Sequence, residues 1–146
     1  MDIKVIDVSQ DIEDIERLRL DAFYHDPTIY SSTYADRFYR NKMLIIAAYI
    51  ENELVGALYF SPYLIKDGYV DQLFVREDYQ NSKYHVGTSL LKYVEKHIVE
   101  LGEYFDQFFK KIFIDYNSPI SKSVYLNAGY KCTKLDGTLV KKVGVK

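Results

Sequence analysis

Apolar residues form short runs and alternating stretches along most of the chain, a pattern typical of β-strands. These stretches predict strands over residues 3–8, 43–50, 54–63, 70–75, 112–115, 130–135 and 138–143. Asp67-Gly68 is a turn signal before the fourth strand, and Asp136-Gly137 is a stronger one between the last two. The chain is therefore expected to build one sheet with at least one hairpin.

Between the strands, apolar residues recur every three to four positions and predict helices. Two helices are expected near the N terminus, from residue 12 to about 24 and from residue 32 or 33 to about 39. The third, over residues 86–101, is long, and its apolar stripe comprises Val86, Leu90, Leu91, Val94, Ile98 and Leu101. The fourth begins at Ser118-Pro119 and stops at Gly129, because proline suits the first helical turn and glycine the C-terminal cap.

The predicted order is β-α-α-β-β-β-α-β-α-β-β, and no repeat or linker interrupts it. This order favours an α/β (α+β) fold with a mixed central sheet of about six or seven strands and about four helices on its faces. We expect a single domain over residues 1–146.

The composition limits the classes of function. A net charge of −2 disfavours nucleic-acid binding, which normally requires a basic face. No apolar run approaches the roughly 20 residues of a membrane span, and the N terminus lacks the features of a signal peptide, so a cytoplasmic location is expected. The single cysteine excludes an internal disulfide, and no metal site is predicted.

The turn at residues 76–85, between the fourth strand and the long helix, is the best candidate for a ligand site. The first N–H groups of a helix have no helical partners, and the helix dipole is positive at that end. Lys83, Gly87, Thr88 and Ser89 lie beside these donors. The arrangement predicts an anion site and hence a phosphate-bearing ligand.

This region also resembles a motif of the GNAT superfamily of acyl-CoA-dependent N-acetyltransferases, in which a turn of the form Q/R-x-x-G-x-G/A binds the coenzyme A pyrophosphate. The matching stretch is FVREDYQNSKYHVGTSLL. If Gly87 is the last glycine of the motif, His85 replaces the first glycine and Ser82 the leading residue. If Gln80 leads instead, which we favour because Tyr79-Gln80 matches closely, the turn is two residues longer. In both registers the first glycine is missing.

A second stretch, DYNSPISKSVYLNAGYK, resembles the fifth strand and following helix of the same family. Ser118-Pro119, Tyr125 and Gly129 keep the family spacing, while Asn117 is one residue nearer the Ser-Pro pair than the usual asparagine. The two motifs occur in the family's order, and the resemblance covers nearly the whole chain.

The resemblance implies an acetyl-CoA-dependent N-acetyltransferase whose fourth and fifth strands separate to admit the pantetheine arm. The backbone of Leu73, Phe74 and Val75 would bind that arm. The remaining cofactor contacts implied by the resemblance are Gln80, Asn81, Ser82, Lys83, Tyr84, His85, Val86, Gly87, Thr88, Ser89 and Asn117. For Asn117, a plain role in the turn before Ser118-Pro119 is an equal alternative.

Two residues are candidates for catalysis. Tyr125 corresponds to a tyrosine that lies near the coenzyme sulfur in many family members, so we expect it to protonate the leaving thiolate. The alternative is that Tyr125 only packs against the sheet. Asp71 is the best carboxylate for a general base, although an ordinary paired or solvent-facing aspartate is the alternative. Regular alternation would place Asp71 and Leu73 on one face of the strand, and Gln72 and Phe74 on the other.

The acceptor is expected to be the primary amine of a small molecule or a peptide, bound beside the first two helices. Tyr24, Tyr30 and Tyr34 supply aromatic walls there. The alternative function is a GNAT-like acyl-CoA-binding or regulatory module with little or no catalysis. A homodimer formed through an exposed strand at residues 138–143 is a further hypothesis.

Overall fold

A computed structural model describes residues 1–6, 12–24, 43–115, 122–134 and 137–143, with backbone alone at residues 23 and 24. The described strands form one sheet of seven, in the order β1-β2-β3-β4-β5-β7-β6. They are β1 (Asp2–Ile6), β2 (Leu44–Ile50), β3 (Glu53–Pro62), β4 (Asp67–Val75), β5 (Lys111–Asp115), β6 (Lys131–Cys132) and β7 (Thr138–Lys142). Neighbouring strands are antiparallel except β4 and β5, which are parallel.

Four α-helices occur in the described ranges: α1 (Ile12–Tyr24), α2 (Val86–Lys96), α3 (Ile98–Glu103) and α4 (Lys122–Asn127). The mixed sheet with helices confirms the predicted fold class. The predicted second helix and the Ser118-Pro119 helix start lie outside the described residues. Gly129 follows α4 with φ 97°, the left-handed conformation expected of a residue that ends a helix. No helix in the described ranges is long and apolar enough to span a bilayer.

The structure differs from the sequence prediction at the long helix, at the turn before β4 and at the sheet edge, and β6 is shorter than the strand predicted over residues 130–135. The helix predicted over residues 86–101 is interrupted at His97, whose φ of −104° departs from helical geometry. Hydrogen bonds from His97 N to Tyr93 O and from Leu101 N to His97 O carry the chain across the break, so the apolar stripe stays continuous. Asp67-Gly68 is the start of β4 and not a turn. The turn lies at residues 63–66, closed by hydrogen bonds from Tyr63 N to Asp67 O and from Asp67 N to Leu64 O.

The third difference concerns the sheet edge. β7 pairs with β5 on one side and with β6 on the other, so residues 138–142 do not form the exposed strand expected from sequence. The two-residue strand β6 (Lys131–Cys132) lies at that end of the sheet instead.

Two apolar cores lie on opposite faces of the sheet. The larger one packs α2, α3 and α4 against one face, and Leu73, Leu90 and Tyr125 belong to it. The smaller one lies beneath α1, where Ile15, Tyr59 and Phe74 are fully buried. Since side chains alternate along a strand, Leu73 and Phe74 enter opposite cores.

A β-bulge in β4 interrupts this alternation. Tyr59 pairs with Gln72 and Phe60 pairs with Val70, which leaves Asp71 without an opposite residue on β3. Val70 and Leu73 consequently share the larger core although they are three residues apart. The strand is therefore irregular at Asp71, in contrast to the regular alternation expected from sequence.

The pairing of β4 with β5 is also incomplete. It runs from Asp67–Lys111 to Val70–Ile114 and stops there, whereas β3 accompanies β4 as far as Val75. Over residues 71–75, no described strand pairs with β4 on the side of β5. A parallel pair that opens halfway leaves backbone N–H and C=O groups available to a ligand.

Candidate functional site

A cavity of about 190 Å³ lies where the C-terminal end of β4 meets the start of α2. Its lining residues are Val75, Tyr79, Gln80, Asn81, Ser82, His85, Val86, Gly87, Thr88 and Val124. Eight of these ten were predicted from sequence to contact the cofactor. The predicted anion site is therefore a concave surface with polar walls.

Hydrogen bonds hold the loop between β4 and α2 in a defined shape. Gln80 donates from Nε2 to the carbonyl oxygen of Val75 at 2.9 Å, which ties the loop back to the end of β4. Arg76 donates from Nε and from its terminal nitrogen to both carboxylate oxygens of Asp78, at 2.7 and 3.0 Å. This hydrogen bonding lowers the pKa of Asp78 and raises that of Arg76. The guanidinium carbon of Arg76 lies over the Tyr79 ring, 4.8 Å from the ring centroid.

The start of α2 offers unpaired backbone donors. The first backbone acceptor of the helix is His85 O, which accepts from Ser89 N at 2.9 Å. Within the described part of the chain, no group accepts from the N–H groups of Val86, Gly87 and Thr88. The side chain of His85 makes no capping hydrogen bond either. Three free donors at a positive helix end border the cavity.

Two non-glycine residues of the loop have left-handed backbones. Asn81 has φ 55°, and His85, the residue before α2, has φ 49° and ψ 52°. Side chains with a Cβ seldom adopt this conformation, whereas glycine adopts it freely. His85 therefore occupies a backbone conformation at which the family motif would favour a glycine.

The α4 helix closes the cavity from the other side through Val124. The next residue, Tyr125, is fully buried in the larger core. Tyr125, one of the two residues predicted to be catalytic, is therefore adjacent in sequence to a lining residue but does not itself line the cavity.

Asp71 lies close to a tyrosine, Tyr69, which is also close to a second carboxylate, Asp115. The Tyr69 hydroxyl donates to Asp115 Oδ2 at 3.5 Å, and Tyr63 stacks on Tyr69 with ring centroids 5.2 Å apart. Burial, followed by the charges of Asp115 and Asp71, raises the pKa of Tyr69 far above its usual range. Asp115, which ends β5, was not among the residues predicted for the site.

Several predicted cofactor contacts do not line the cavity. Lys83 lies with its ammonium 5.3 Å from the centre of the Tyr84 ring, and Ser89 donates from Oγ to Tyr84 O at 3.4 Å. Leu73 and Phe74 turn their side chains into the two cores, so only their backbone is available. Asn117, Tyr30 and Tyr34 lie outside the described residues, and Tyr24 is described only as the last backbone position of α1.

Two lining residues, Tyr79 and Val124, were absent from the sequence prediction. Tyr79 belongs to the Tyr79-Gln80 pair of the motif, so its inclusion required only extending the site by one residue. Val124 carries no local signal, because an apolar residue on a short helix is indistinguishable from a core residue until α4 is placed against α2.

Comparison with known proteins places this geometry in a family. The sequence profile described as Acetyltransferase (GNAT) family matches residues 10–130. No curated protein sequence matched the chain.

Solved structures share the fold. An aminoglycoside 6'-acetyltransferase type Ii has a TM-score of 0.71 and 21% identity, covering 100% of this chain and 99% of the other. An aminoglycoside 6'-N-acetyltransferase complexed with coenzyme A has a TM-score of 0.69 and 17% identity, with the same coverage. The PaiA N-acetyltransferase of Thermoplasma acidophilum, also in complex with coenzyme A, has a TM-score of 0.63 and 18% identity, covering 97% and 99%. The chain belongs to the GNAT family of acetyltransferases, enzymes that use acetyl-CoA.

Proposed function

We propose that this protein transfers the acetyl group of acetyl-CoA to a primary amine of a small molecule or a peptide, by direct attack within a ternary complex. The observation that carries this proposal is the group of free N–H donors of Val86, Gly87 and Thr88 bordering a cavity at the open end of β4. A donor-rich helix start suits the pyrophosphate, and an unpaired strand suits the amides of the pantetheine arm.

The chemistry of the cavity fits an anionic cofactor. Among the lining residues that the structure describes there is no aspartate or glutamate, while Gln80, Asn81, Ser82 and Thr88 bring side chains able to donate hydrogen bonds. Since the N–H donors belong to a helix and a tied loop, little ordering is needed when the anion binds.

The conformation of His85 supports the register in which this residue replaces the first glycine of the motif, and not the longer turn led by Gln80 that we favoured from sequence. Its positive φ preserves the loop shape that a glycine would give, although the side chain adds bulk next to the phosphates. The imidazole can compensate by donating to a phosphate oxygen, because it lines the cavity. Cofactor binding is retained by this arrangement.

Bound acetyl-CoA supplies a thioester, whose carbonyl carbon is attacked by the amine and whose sulfur leaves as a thiolate. In this proposal the backbone of Leu73, Phe74 and Val75 holds the pantetheine arm in the gap beside β4. A backbone N–H in the same stretch polarises the carbonyl as negative charge develops on its oxygen. Fixing both reactants in the attack geometry supplies much of the acceleration.

Tyr125 acts as the general acid in this proposal. A phenol has a pKa of about 10 and can donate its proton to a thiolate, whose conjugate acid has a pKa of about 8.5. The position of Tyr125 directly after Val124 supports this role, because α4 borders the cavity at that residue. The complete burial of the side chain also suits the alternative role in packing.

Asp71 and Asp115 supply the negative charge that attracts the amine. Both lie close enough to Tyr69 for their charges to raise its pKa after burial has done so, near the place where β4 and β5 separate. The bulge at Asp71 removes this residue from regular pairing and puts it beside Tyr69. Asp71 is proposed as the base that accepts the amine proton, directly or through water. Tyr24, Tyr30 and Tyr34 are proposed as acceptor contacts on the basis of their sequence positions alone.

A GNAT-like module that binds acyl-CoA with little or no catalysis is the second candidate. The observation in its favour is His85 at a position where the family motif has glycine. Enzyme and module share cofactor binding and differ in turnover.

Titration calorimetry with acetyl-CoA tests whether the cavity at the start of α2 binds the pyrophosphate. The variants compared are Thr88→Asp and the matched control Thr88→Asn. Aspartate in the first turn stabilises a helix, yet it places a charge beside the pyrophosphate. Thr88→Asp should therefore keep its thermal stability and lose at least about tenfold in affinity, or about 1.4 kcal/mol. Thr88→Asn adds no charge, so its affinity for acetyl-CoA should stay within about threefold of wild type. Equal affinity of the two variants would contradict the placement of the pyrophosphate.

An acetyl-transfer assay with a panel of amines then separates the two functions. Release of the free coenzyme thiol in the presence of an amine, together with the acetylated amine found by mass spectrometry, indicates the enzyme. Acetyl-CoA binding without turnover of any amine in the panel would favour the binding module.

A further inference from the structure

Three lysines lie together on one face of the sheet, at the end away from the cofactor cavity. Lys111 on β5 is directly opposite Lys142 on β7, so their side chains share a face. Lys131 on β6 is opposite Val140, two residues before Lys142, and therefore lies on the same face. We call these three residues the lysine face.

The lysine face borders a concavity of about 400 Å³. Its lining residues are Lys111, Gly129, Lys131, Val140, Lys141 and Lys142. A concave wall with several ammonium groups is suited to surround an anionic group, which a flat surface does not do.

The three ammonium groups lack partners in the part of the chain that the structure describes. None of Lys111, Lys131 and Lys142 makes a hydrogen bond or ion pair with a described residue. The neighbouring Lys141 is different: it contacts Glu95 Oε1 and Ala128 O, each at 2.7 Å. Like charges directly opposite each other on adjacent strands destabilise a sheet, so an external anion would relieve the repulsion between Lys111 and Lys142.

The same face continues towards the proposed amine site. Phe113 is opposite Val140 on one side and level with Tyr69 on the other, so it connects the lysine face to Tyr69 and Asp115. Tyr63 packs against Phe113, and the centroids of the two rings are 5.1 Å apart. The face thus carries the three lysines at one end, where Asp67 of β4 is level with Lys111, aromatic rings in the middle and carboxylates at the other end.

The two ends are separated by a defined distance. Lys111 and Asp115 are the first and last residues of β5, four positions apart, which corresponds to about 13 Å along a strand. An extended peptide rises by about 3.3 Å per residue, so four of its residues cover the same distance.

We propose that the lysine face is a subsite for an anionic group of the acceptor, and that the preferred acceptor is an extended peptide with an acidic residue about four positions after its reactive N-terminal amine. The proposal rests on the proposed acetyl transfer and adds the class of acceptor. The amine occupies the Asp71 and Asp115 end, and the acidic side chain occupies the lysine face. Aminoglycosides are polycations, and the lysine face would repel them.

Peptide is favoured over nucleic acid for two reasons. The chain carries a net charge of −2, and the same face presents carboxylates at its other end, where a continuous phosphate backbone would be repelled. The spacing between the two ends also corresponds to a short extended segment.

The test compares acetyl transfer to ten-residue peptides that differ only at the fifth position, which is aspartate, asparagine or lysine. Wild type should prefer the aspartate peptide over the asparagine peptide by at least about tenfold in kcat/KM, which is about 1.4 kcal/mol. The double variant Lys111→Ala with Lys142→Ala should lose that preference while keeping its rate on the asparagine peptide. Lys92→Ala, which removes an exposed lysine from α2, is the matched control and should behave as wild type.

A binding measurement accompanies the kinetics. Fluorescence anisotropy of the labelled aspartate peptide should show weaker binding in the double variant and in high salt, because the contact is ionic. If wild type acetylates all three peptides equally, the acceptor proposal is overturned and the transferase remains. If no amine is acetylated at all, the proposed function fails first. A short oligonucleotide and the unlabelled peptide are also compared as competitors of the labelled peptide. If the oligonucleotide displaces the labelled peptide at a lower concentration than the unlabelled peptide does, the lysine face is a nucleic-acid site and the peptide proposal is overturned.

Discussion

The hydroxyl of Tyr59 on β3 donates a hydrogen bond to Glu16 Oε2 on α1, at a distance of 2.7 Å in the interior of the protein. The same carboxylate oxygen accepts from Arg19 Nε at 2.7 Å. Glu16 is fully buried and Arg19 is only 6% exposed. A buried carboxylate requires such donors, because removing its charge from water is costly unless the charge is paired. The contact therefore fixes α1 against the sheet beside Gln72, one residue from the bulge at Asp71.

Tyr59→Phe removes one donor from the buried carboxylate and keeps the ring. We expect the free energy of unfolding to fall by about 1.5–3 kcal/mol, the range for a hydrogen bond to a charged group. Urea denaturation measures the change. Tyr104→Phe, at a side chain that is exposed, should change stability by less than about 0.5 kcal/mol. Equal effects of the two substitutions would show that the Glu16 contact does not stabilise the fold.

Gly56→Ala tests how closely α2 approaches the sheet. A Cβ at Gly56 would lie 2.8 Å from Val86 Cγ1 and 3.0 Å from Phe74 O, so Val86 must move away. We expect a loss of about 1–3 kcal/mol in stability from overpacking, and weaker acetyl-CoA binding because Val86 begins α2 and lines the cavity. Differential scanning fluorimetry and calorimetry measure the two effects.

Ile98→Val is the control for Gly56→Ala, since it trims the same larger core beyond the far end of α2. This substitution should lower stability by about 0.5–1.5 kcal/mol and leave the acetyl-CoA affinity unchanged. If both variants bind acetyl-CoA with wild-type affinity, the position of Val86 does not affect cofactor binding.

Tyr125→Phe tests the general acid. The substitution keeps the buried ring and removes the proton that the thiolate requires, so kcat should fall by at least about tenfold. The dissociation constant for acetyl-CoA should stay within about twofold, because the acid acts in the transition state and not in cofactor binding. Steady-state kinetics and calorimetry on one preparation separate these outcomes. An unchanged kcat would leave Tyr125 with a packing role only.

Tyr130 predicts a loss of stability at alkaline pH. Burial, followed by the charge of Glu95 and a hydrogen bond to its carboxylate, raises the pKa of Tyr130 well above the usual 10. Below pH 10 the phenol is protonated in both states and contributes fully. Above pH 10 only the unfolded state loses the proton, so the free energy of unfolding falls by about 1.4 kcal/mol per pH unit.

The control for this prediction is Tyr130→Phe, compared with wild type by urea denaturation between pH 8 and pH 11. The variant should be less stable near pH 8, because it lacks the hydrogen bond to Glu95, and its stability should fall less steeply above pH 10. The two proteins differ only in the phenol hydroxyl, so the difference between their slopes isolates its contribution. Parallel slopes would contradict the prediction.

The local pattern of the chain predicted most of the elements correctly. Strands β2 and β3, helix α1 and the start of α2 at Val86 follow from hydrophobic periodicity and from polar turn residues. The loop from Gln80 to Thr88 was identified because an N-terminal helix turn presents its donors whatever the rest of the fold does. The resemblance to the family motifs identified the protein as an acetyltransferase, and the profile match over residues 10–130 confirms this assignment.

Other features depend on contacts between distant parts of the chain. The bulge at Asp71 arises where β3 and β4 differ by one residue in their pairing, and neither strand shows this difference alone. Val124 becomes part of the cavity only when α4 packs against α2. The lysine face forms because β5, β6 and β7 meet in one register, which brings together residues up to 31 positions apart in sequence.

Sequence alone therefore determined which segments are helices or strands and where the free N–H donors of the α2 start lie, because each segment must bury one face and satisfy its own ends. The tertiary structure decided where β4 separates from β5, which side chains surround the cavity and which charges share a face. These depend on strand neighbours and register, which are set by packing between segments far apart in the chain and leave no periodic signal in any one of them.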